Sequence, residues 1–446
     1  MRQERTIQAS LFDLFADHEI GRELKAMSRW LDEHPELVAL VATDLRRRGV
    51  KDTGRHGLSA DSALRCALLK QHRQLSYEEL AFHLEDSASF GAFARLALSW
   101  TPKKSVLHKT ISAIAAQTWE AINRSVLASA SSEKVESGEV IRIDSTVTGA
   151  LMHAPSDSSL LWDAVRVMGR MLKSAEGLVR GPRLVWRNRG RAAKRRAFAI
   201  RYTRGRPGRV EHYRELVKIT RAMLAQVDEA ASRLELSVNP MTELWRATLA
   251  HYRPLIAKIV DQTVRRVFGG HSVPAREKIV SLFEPHADII VKGGRDTQFG
   301  HKLNLVAGRS GLVLDLVVEA GNPTDSERFL PMLERHIAFY GKAPRQAAAD
   351  GGYASGRNLE EAKARGVHDM AFHKKAGLRV EDMVRSRWVF RKLRNFRAGI
   401  EAGISCLKRA YGLGRCTWRG LDHFKAYVWS SVVAYNLALF SQLRPT

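Results

Sequence analysis

The chain has 446 residues, of which 45% are hydrophobic, and a net charge of +25. This composition excludes a disordered or fibrous chain and allows two or three domains with cores of their own. No apolar run reaches the roughly 18 to 20 residues of a membrane helix, and the start lacks a signal-peptide apolar region, so we expect a cytoplasmic protein with no membrane contact. So large a positive charge attracts polyanions and predicts contact with nucleic acid.

The three cysteines do not suggest a metal or redox role. Cys66, Cys406 and Cys416 lie far from the paired spacing of a structural zinc site. The same spacing gives no disulfide framework. We therefore expect no thiol or zinc chemistry from them.

Residues 1–130 are predicted to be a helical N-terminal region. Ser76 followed by Glu79 has the form of a capping box. The apolar face of the helix that it opens would consist of Leu80, Phe82 and Leu84. Short helices joined by tight turns are compatible with a DNA-binding helix-turn-helix, but they also suit any small helical bundle.

The period then changes from helical to strand-like. Val140, Ile141 and Ile143 lead into Asp144, which predicts a strand ending at that carboxylate. Residues 151–284 again have helical spacing and form an insertion after this strand.

The insertion contains a strongly basic stretch. Residues 180–214 carry thirteen lysines and arginines against one acid. Four aromatic residues are scattered among them: Trp186, Phe198, Tyr202 and Tyr213. The stretch is either a solvated face or a surface that follows a phosphate backbone. For the insertion as a whole, DNA clamping and dimer contacts remain the two alternatives.

Strand patterns return after Glu284. "DIIVK", "HKLNLVA" and "LVLDLVVEA" read as strands, and "GRSG" would join the last two as a hairpin. Thr324 with Glu327 opens a helix in capping-box register. Asp350 ends the next strand, "QAAA", and "VHDMAFHKK" supplies another before a basic helical tail. Without the insertion, the order is that of an α/β domain.

Two aspartates are therefore expected at strand ends. In an α/β sheet, ligands bind beyond the carboxyl ends of the strands, so Asp144 and Asp350 would project into a site. Gly351 and Gly352 allow the chain to leave the strand abruptly. The alternative for Asp350 is an ordinary Asp-Gly turn.

A third carboxylate lies on the helical tail. Arg397, Glu401 and Lys408 fall within roughly 40° of one another on a helix. A salt-bridged polar face would explain the stripe alone. Three acids in a basic protein could instead hold two Mg²⁺ or Mn²⁺ ions for attack on a phosphodiester, with Arg397 and Lys408 holding the nucleic-acid backbone. Lys302 is a further candidate for DNA contact from the hairpin.

These motifs resemble those of the DDE transposases of bacterial insertion sequences. "IDSTV" around Asp144 looks like the first acidic motif and "DGGYAS" around Asp350 like the second. "RAGIEAGISCLK" looks like the third, in which a Tyr, Arg, Glu and Lys recur; here Arg394 stands at the tyrosine position. The resemblance implies a ribonuclease H-like catalytic domain in residues 131–150 and 285–446.

The resemblance also implies an activity. Asp144, Asp350 and Glu401 would ligate two Mg²⁺ or Mn²⁺ ions, and Arg394, Arg397, Lys408 and Lys302 would contact DNA. Water would cleave the element's end, and the freed 3′-hydroxyl would join target DNA by transesterification. A homodimer holding the terminal inverted repeats in the nucleoid is the implied working form. The alternatives are a ribonuclease H-like nuclease that stops at hydrolysis and a catalytically silent, domesticated DNA-binding descendant.

Overall fold

A computed structural model describes most of the chain in two compact units. The first unit comprises residues 1–150 and 301–446, and the second comprises residues 151–300. The residues that the structure describes are 18–47, 57–97, 100–179, 182–235, 239–291, 297–373 and 377–444. Parts of the predicted N-terminal region, including residues 1–17, lie outside these ranges.

The N-terminal part of the first unit is helical, as expected. Its helices are α1 (Glu19–Asp32), α2 (Pro35–Arg47), α3 (Ala60–His72), α4 (Tyr77–Asp86), α5 (Ala88–Phe93), α6 (Lys104–Ile111) and α7 (Ala116–Ser132). The predicted capping box of α4 is confirmed, with Ser76 and Glu79 bonding reciprocally. Leu80 and Leu84 are buried, but the prediction for Phe82 was wrong, since it is 61% exposed. Phe82 lies two residues from each leucine, a spacing that turns it to the other side of the helix.

A mixed sheet forms the centre of the first unit. Its strands are β1 (Val140–Gly149), β3 (Gln298–Ala307), β4 (Val313–Val318), β5 (Gln346–Ala349) and β6 (Asp369–Phe372), while β2 (Asp288–Ile290) lies in the second unit. The strands of the first unit are ordered β4-β3-β1-β5-β6. β4 is antiparallel to β3, and β1, β5 and β6 run parallel. The predicted hairpin is confirmed between β3 and β4.

Helices cover this sheet. They are α12 (Asp325–Tyr340), α13 (Gly356–Ala364), α14 (Val380–Met383), α15 (Arg387–Ala410) and α16 (Leu421–Leu443). The capping box at Thr324 and Glu327 is confirmed. α15 contacts β1, β5 and β6, while α16 packs against α1, α3 and α7. The apolar helix α16 therefore joins the N-terminal helices to the sheet in one unit.

The second unit has a helical core of its own. Four helices form most of it: α8 (Asp157–Ala175), α9 (Gly190–Tyr202), α10 (Arg206–Leu234) and α11 (Pro240–Thr263). Apolar faces of all four helices meet in one buried cluster. Ser156 caps α8 by accepting from the Ser159 N–H at 3.1 Å. Much of the predicted basic stretch lies on α9 and on the start of α10.

His336 makes the stability of the first unit pH-dependent. It is buried on α12, with Nε2 3.0 Å from the Gly138 carbonyl, and burial lowers its pKa to about 4. The unfolded chain takes up a proton below its ordinary pKa of about 6.5. The free energy of unfolding should therefore fall by about 3 kcal/mol between pH 7 and pH 4 through this group. Urea unfolding of the wild type and His336→Gln across that window measures the difference, and equal pH slopes in the two proteins would contradict the assignment.

Candidate active site

Parallel pairing brings the two aspartates to neighbouring positions. Ile143 pairs with Ala349 at the last registered position between β1 and β5, and Asp144 and Asp350 come next in each chain segment. The expectation that the strand ends at Asp144 was wrong, because β1 continues to Gly149. Only the pairing of β1 with β5 ends there, after Ile143 and Ala349. Beyond it, the end of β1 is held by Thr148, which donates to the Leu413 carbonyl at 2.7 Å.

Arg397 joins all three predicted acids. Its Nη2 donates to Asp144 Oδ2 at 2.8 Å and lies 3.6 Å from Asp350 Oδ1. Its Nη1 donates to Glu401 Oε1 at 3.0 Å. Because Arg397 and Glu401 are one turn apart on α15, the helix delivers both to the edge of the sheet where the aspartates lie. One guanidinium therefore forms ion pairs with three carboxylates from three separate chain segments.

The three carboxylates differ strongly in exposure. The side chain of Asp144 is 8% exposed, that of Asp350 35% and that of Glu401 67%. Asp144 also accepts a hydrogen bond from the Ser145 N–H at 2.7 Å. Asp144 is therefore the buried, hydrogen-bonded carboxylate of the site, and Glu401 on the helix is the exposed one.

The donor set suits a divalent cation in its chemistry. Carboxylate oxygens are the ligands that Mg²⁺ and Mn²⁺ prefer. Among the described residues, however, no three Asp, Glu, His or Cys side chains are close enough to ligate one ion together. The guanidinium of Arg397 lies between the acids, and its buried Nε has no hydrogen-bond partner. A divalent ion would therefore compete with Arg397 for the same oxygens.

Tyr353 supports the turn that carries Asp350. It is fully buried, and its hydroxyl donates to Asn304 Oδ1 at 2.5 Å. Burial, together with the charges of Asp325 and Asp144, raises the pKa of Tyr353 well above its usual value. The phenol therefore stays protonated and anchors the turn to β3. The role of Asn304 was missed, since a polar residue in an apolar strand pattern gives little signal.

Contact with DNA from the hairpin would require Lys302 to face solvent, but its side chain is turned inward. Its side chain is 9% exposed, and its Nζ pairs with Asp325 Oδ1 at 2.6 Å. The ammonium also donates to the Pro323 carbonyl at 2.7 Å. The carboxylate of Asp325 lies next to Gly352, so Lys302 holds the start of α12 against the Asp350 turn.

Gly352→Ala should loosen this turn. A Cβ at Gly352 would lie 2.8 Å from Asp325 Oδ2 and 3.3 Å from Asp325 Cβ. We expect a loss of about 1 to 3 kcal/mol, as for other overpacked sites. Gly356→Ala is the matched control, because its added Cβ meets nothing within 4 Å. Urea unfolding of both variants measures the effect, and equal midpoints would refute this role of Gly352.

The two remaining basic candidates lie on α15. Arg394 is exposed, and Lys408 is partly buried. Arg394 lies three residues before Arg397, and Lys408 lies seven residues after Glu401. At these spacings both lie close to the side of the helix that carries Arg397 and Glu401. The structure therefore brings together Asp144, Asp350, Arg397 and Glu401, with Arg394 and Lys408 on the same helix.

The comparison with protein families bears directly on this region. Residues 257–437 match the family model described as Transposase DDE domain. This stretch is therefore similar to a transposase DDE domain. The match contains Asp350, Arg397, Glu401 and Lys408, whereas Asp144 precedes it. The match confirms the resemblance to DDE transposases of insertion sequences that the motifs show, and it supports a transposase function in broad terms.

Two further comparisons returned nothing. Neither the curated proteins nor the solved structures contain a match to this chain. A separate observation concerns membranes: throughout the described ranges, every helix is too short or too polar to cross one.

Proposed function

We propose that the protein cleaves the ends of an insertion sequence and joins the freed 3′-hydroxyl to target DNA. The observation that carries the proposal is the convergence of Asp144, Asp350 and Glu401 on Arg397. Asp350 and Glu401 lie within the stretch that matches a transposase family model, and Asp144 joins them from an earlier segment of the chain. A merely structural salt bridge would need only one of them.

The topology of the first unit supports a ribonuclease H-like catalytic domain. An antiparallel pair, β4 and β3, adjoins β1, and the parallel strands β5 and β6 follow on its other side. Asp144 lies on the central strand, Asp350 directly follows β5, and Glu401 reaches the same edge from α15. This is the order expected for that fold and for its three acids.

Asp144, Asp350 and Glu401 would hold Mg²⁺ or Mn²⁺. Two such ions, when bound, activate the attacking oxygen and stabilise the departing one. Arg397 would leave the carboxylates at that stage and would then be free to bind a phosphate oxygen by its paired N–H donors. Arg394 and Lys408 would hold the DNA backbone along α15. Two copies of the chain would hold the two ends of the element.

The test uses linear DNA that carries the chain's own gene with its native flanks. The purified protein is incubated with this DNA in Mg²⁺ or in chelator, and the strand ends are mapped. We expect cuts at two discrete flanking positions in Mg²⁺ and none in chelator. The 3′ ends should then be joined to added plasmid. Cuts without joining would indicate a nuclease that stops at hydrolysis. Binding without cuts would refute the catalytic proposal and favour a silent DNA-binding descendant.

A further inference from the structure

The second unit contains a cavity that the DDE site does not use. Its volume is about 740 Å³, within the range of sites for small organic ligands. It lies between the segment before α8, α8 itself, α9 and the start of α10. Its lining includes His153, Trp162, Asp163, Phe198, Arg201 and Arg209.

Aromatic rings form one wall of the cavity. Trp162 and Phe198 meet edge to face, with their centroids 6.0 Å apart and their planes at 72°. Phe198 is 44% exposed, whereas Trp162 is partly buried and packs against the apolar core of the unit. Exposed aromatic faces beside positive charge are the usual platform for an unpaired nucleobase. The wall therefore suits a flat, aromatic ligand.

Cationic side chains surround this wall. Arg201 and Arg209 line the cavity and are exposed, and Arg209 Nε donates to the Thr203 carbonyl at 2.9 Å. Arg166 lies over the Trp162 ring, with Cζ 5.3 Å from its centroid. Guanidinium groups bind phosphate oxygens through paired donors. The occupant should therefore carry negative charge on the side of Arg201 and Arg209.

One buried carboxylate also lines the cavity. The side chain of Asp163 is 4% exposed, and its Oδ1 accepts from Arg166 Nη1 at 2.8 Å. Its Oδ2 lies 3.9 Å from His153 Nε2, too far for a hydrogen bond. Oδ2 can therefore accept a hydrogen bond from a ligand. A carboxylate repels phosphate but accepts from the amino group of a base such as cytosine.

We propose that this cavity binds one nucleotide of an unpaired DNA strand. The base stacks against Trp162 and Phe198, the phosphate contacts Arg201 and Arg209, and Asp163 accepts from an amino group of the base. The proposal goes beyond the cleavage reaction and does not depend on the three acids. A free nucleotide has the same chemistry, so the experiment must separate the two sources.

The experiment measures binding of fluorescent oligonucleotides to the full-length protein in chelator. The probes are single-stranded dC8 and dT8 and a duplex of random sequence, and dCMP is titrated separately. Phe198→Ala and Arg201→Ala should each weaken dC8 binding by about tenfold, the effect of losing one stacked base or one phosphate contact. Duplex binding should change by less than about twofold, because a paired base cannot enter the cavity.

Matched controls come from the same unit. Phe268→Ala removes another exposed phenylalanine, and Arg221→Ala removes another exposed arginine; neither residue lines the cavity. Both should keep wild-type affinity for dC8. Asp163→Asn should reduce the preference for dC8 over dT8. Equal losses in Phe198→Ala and Phe268→Ala would overturn the site, as would wild-type affinity in both cavity variants.

Two further outcomes separate the alternatives. If dCMP binds as tightly as dC8 and loses affinity in the same variants, the site takes free nucleotides and its assignment to DNA is wrong. Glu401→Gln should bind dC8 as the wild type does. Loss of cleavage in Glu401→Gln therefore leaves the cavity proposal standing, and failure of the cavity variants leaves the cleavage reaction standing.

Discussion

Glu401→Gln should lose metal-dependent DNA cleavage by roughly 10²- to 10³-fold, the scale for removal of one group that stabilises transition-state charge. The substitution keeps the length of the side chain but removes the charge that would attract a divalent ion. Glu401 is 67% exposed, and its ion pair with Arg397 lies within one turn of the same helix. The melting temperature should therefore stay close to that of the wild type. Mapping strand ends in Mg²⁺, with a thermal melt of the same samples, measures both.

Glu360→Gln is the matched control for this prediction. Glu360 is an exposed glutamate on α13, and its substitution should leave cleavage unchanged. If Glu401→Gln cleaves DNA as fast as the wild type does, Glu401 is not part of the catalytic site. Equal losses in both variants would point to a general effect of surface charge on DNA binding.

Arg397→Ala should destabilise the protein by about 3 to 5 kcal/mol in chelator, because it removes the cation that is paired with a buried carboxylate. Asp144 is almost completely buried and takes its hydrogen bond from Arg397 Nη2 at 2.8 Å. Arg394→Ala removes an exposed arginine from the same helix and should change stability by less than about 0.5 kcal/mol. Urea unfolding of the two variants and the wild type measures the difference.

The same variant tests competition between Arg397 and a divalent ion. Removal of the guanidinium takes away the cation that competes for the oxygens of Asp144, Asp350 and Glu401, so Mn²⁺ should bind the folded variant more tightly. Ligands that bind only the folded state raise its stability. Mn²⁺ should therefore raise the melting temperature of Arg397→Ala more than that of the wild type or Arg394→Ala. Equal shifts in all three proteins would mean that Arg397 does not occupy the metal position.

Local patterns in the chain predicted the helices, the strands and three acids of the candidate site. Capping at Ser76 and Thr324 depends on residues three positions apart, so it can be read directly from the chain. The Arg397 and Glu401 pair is likewise one helix turn apart. Phe82 was assigned to the wrong face, because its position two residues from Leu80 and Leu84 turns it to the other side of the helix.

The position of each residue in the fold followed only from tertiary structure. Lys302 lies in a strand pattern that also suits a surface hairpin, and its burial depends on Asp325 from a separate helix. The length of β1 beyond Asp144 depends on contacts with residues near Leu413. The cavity of the second unit likewise needs side chains from three helices, and nothing in their spacing along the chain relates them.

The sequence by itself determined the α/β order, the acids in three motifs and the positive charge that predicts contact with nucleic acid, because charge, periodicity and short spacings are local properties. Only the tertiary structure decided that Asp144, Asp350 and Glu401 meet at one arginine. That meeting depends on the parallel register of β1 and β5 and on the packing of α15 across them. Contacts of this kind join residues that are hundreds of positions apart, and no local pattern encodes their distance.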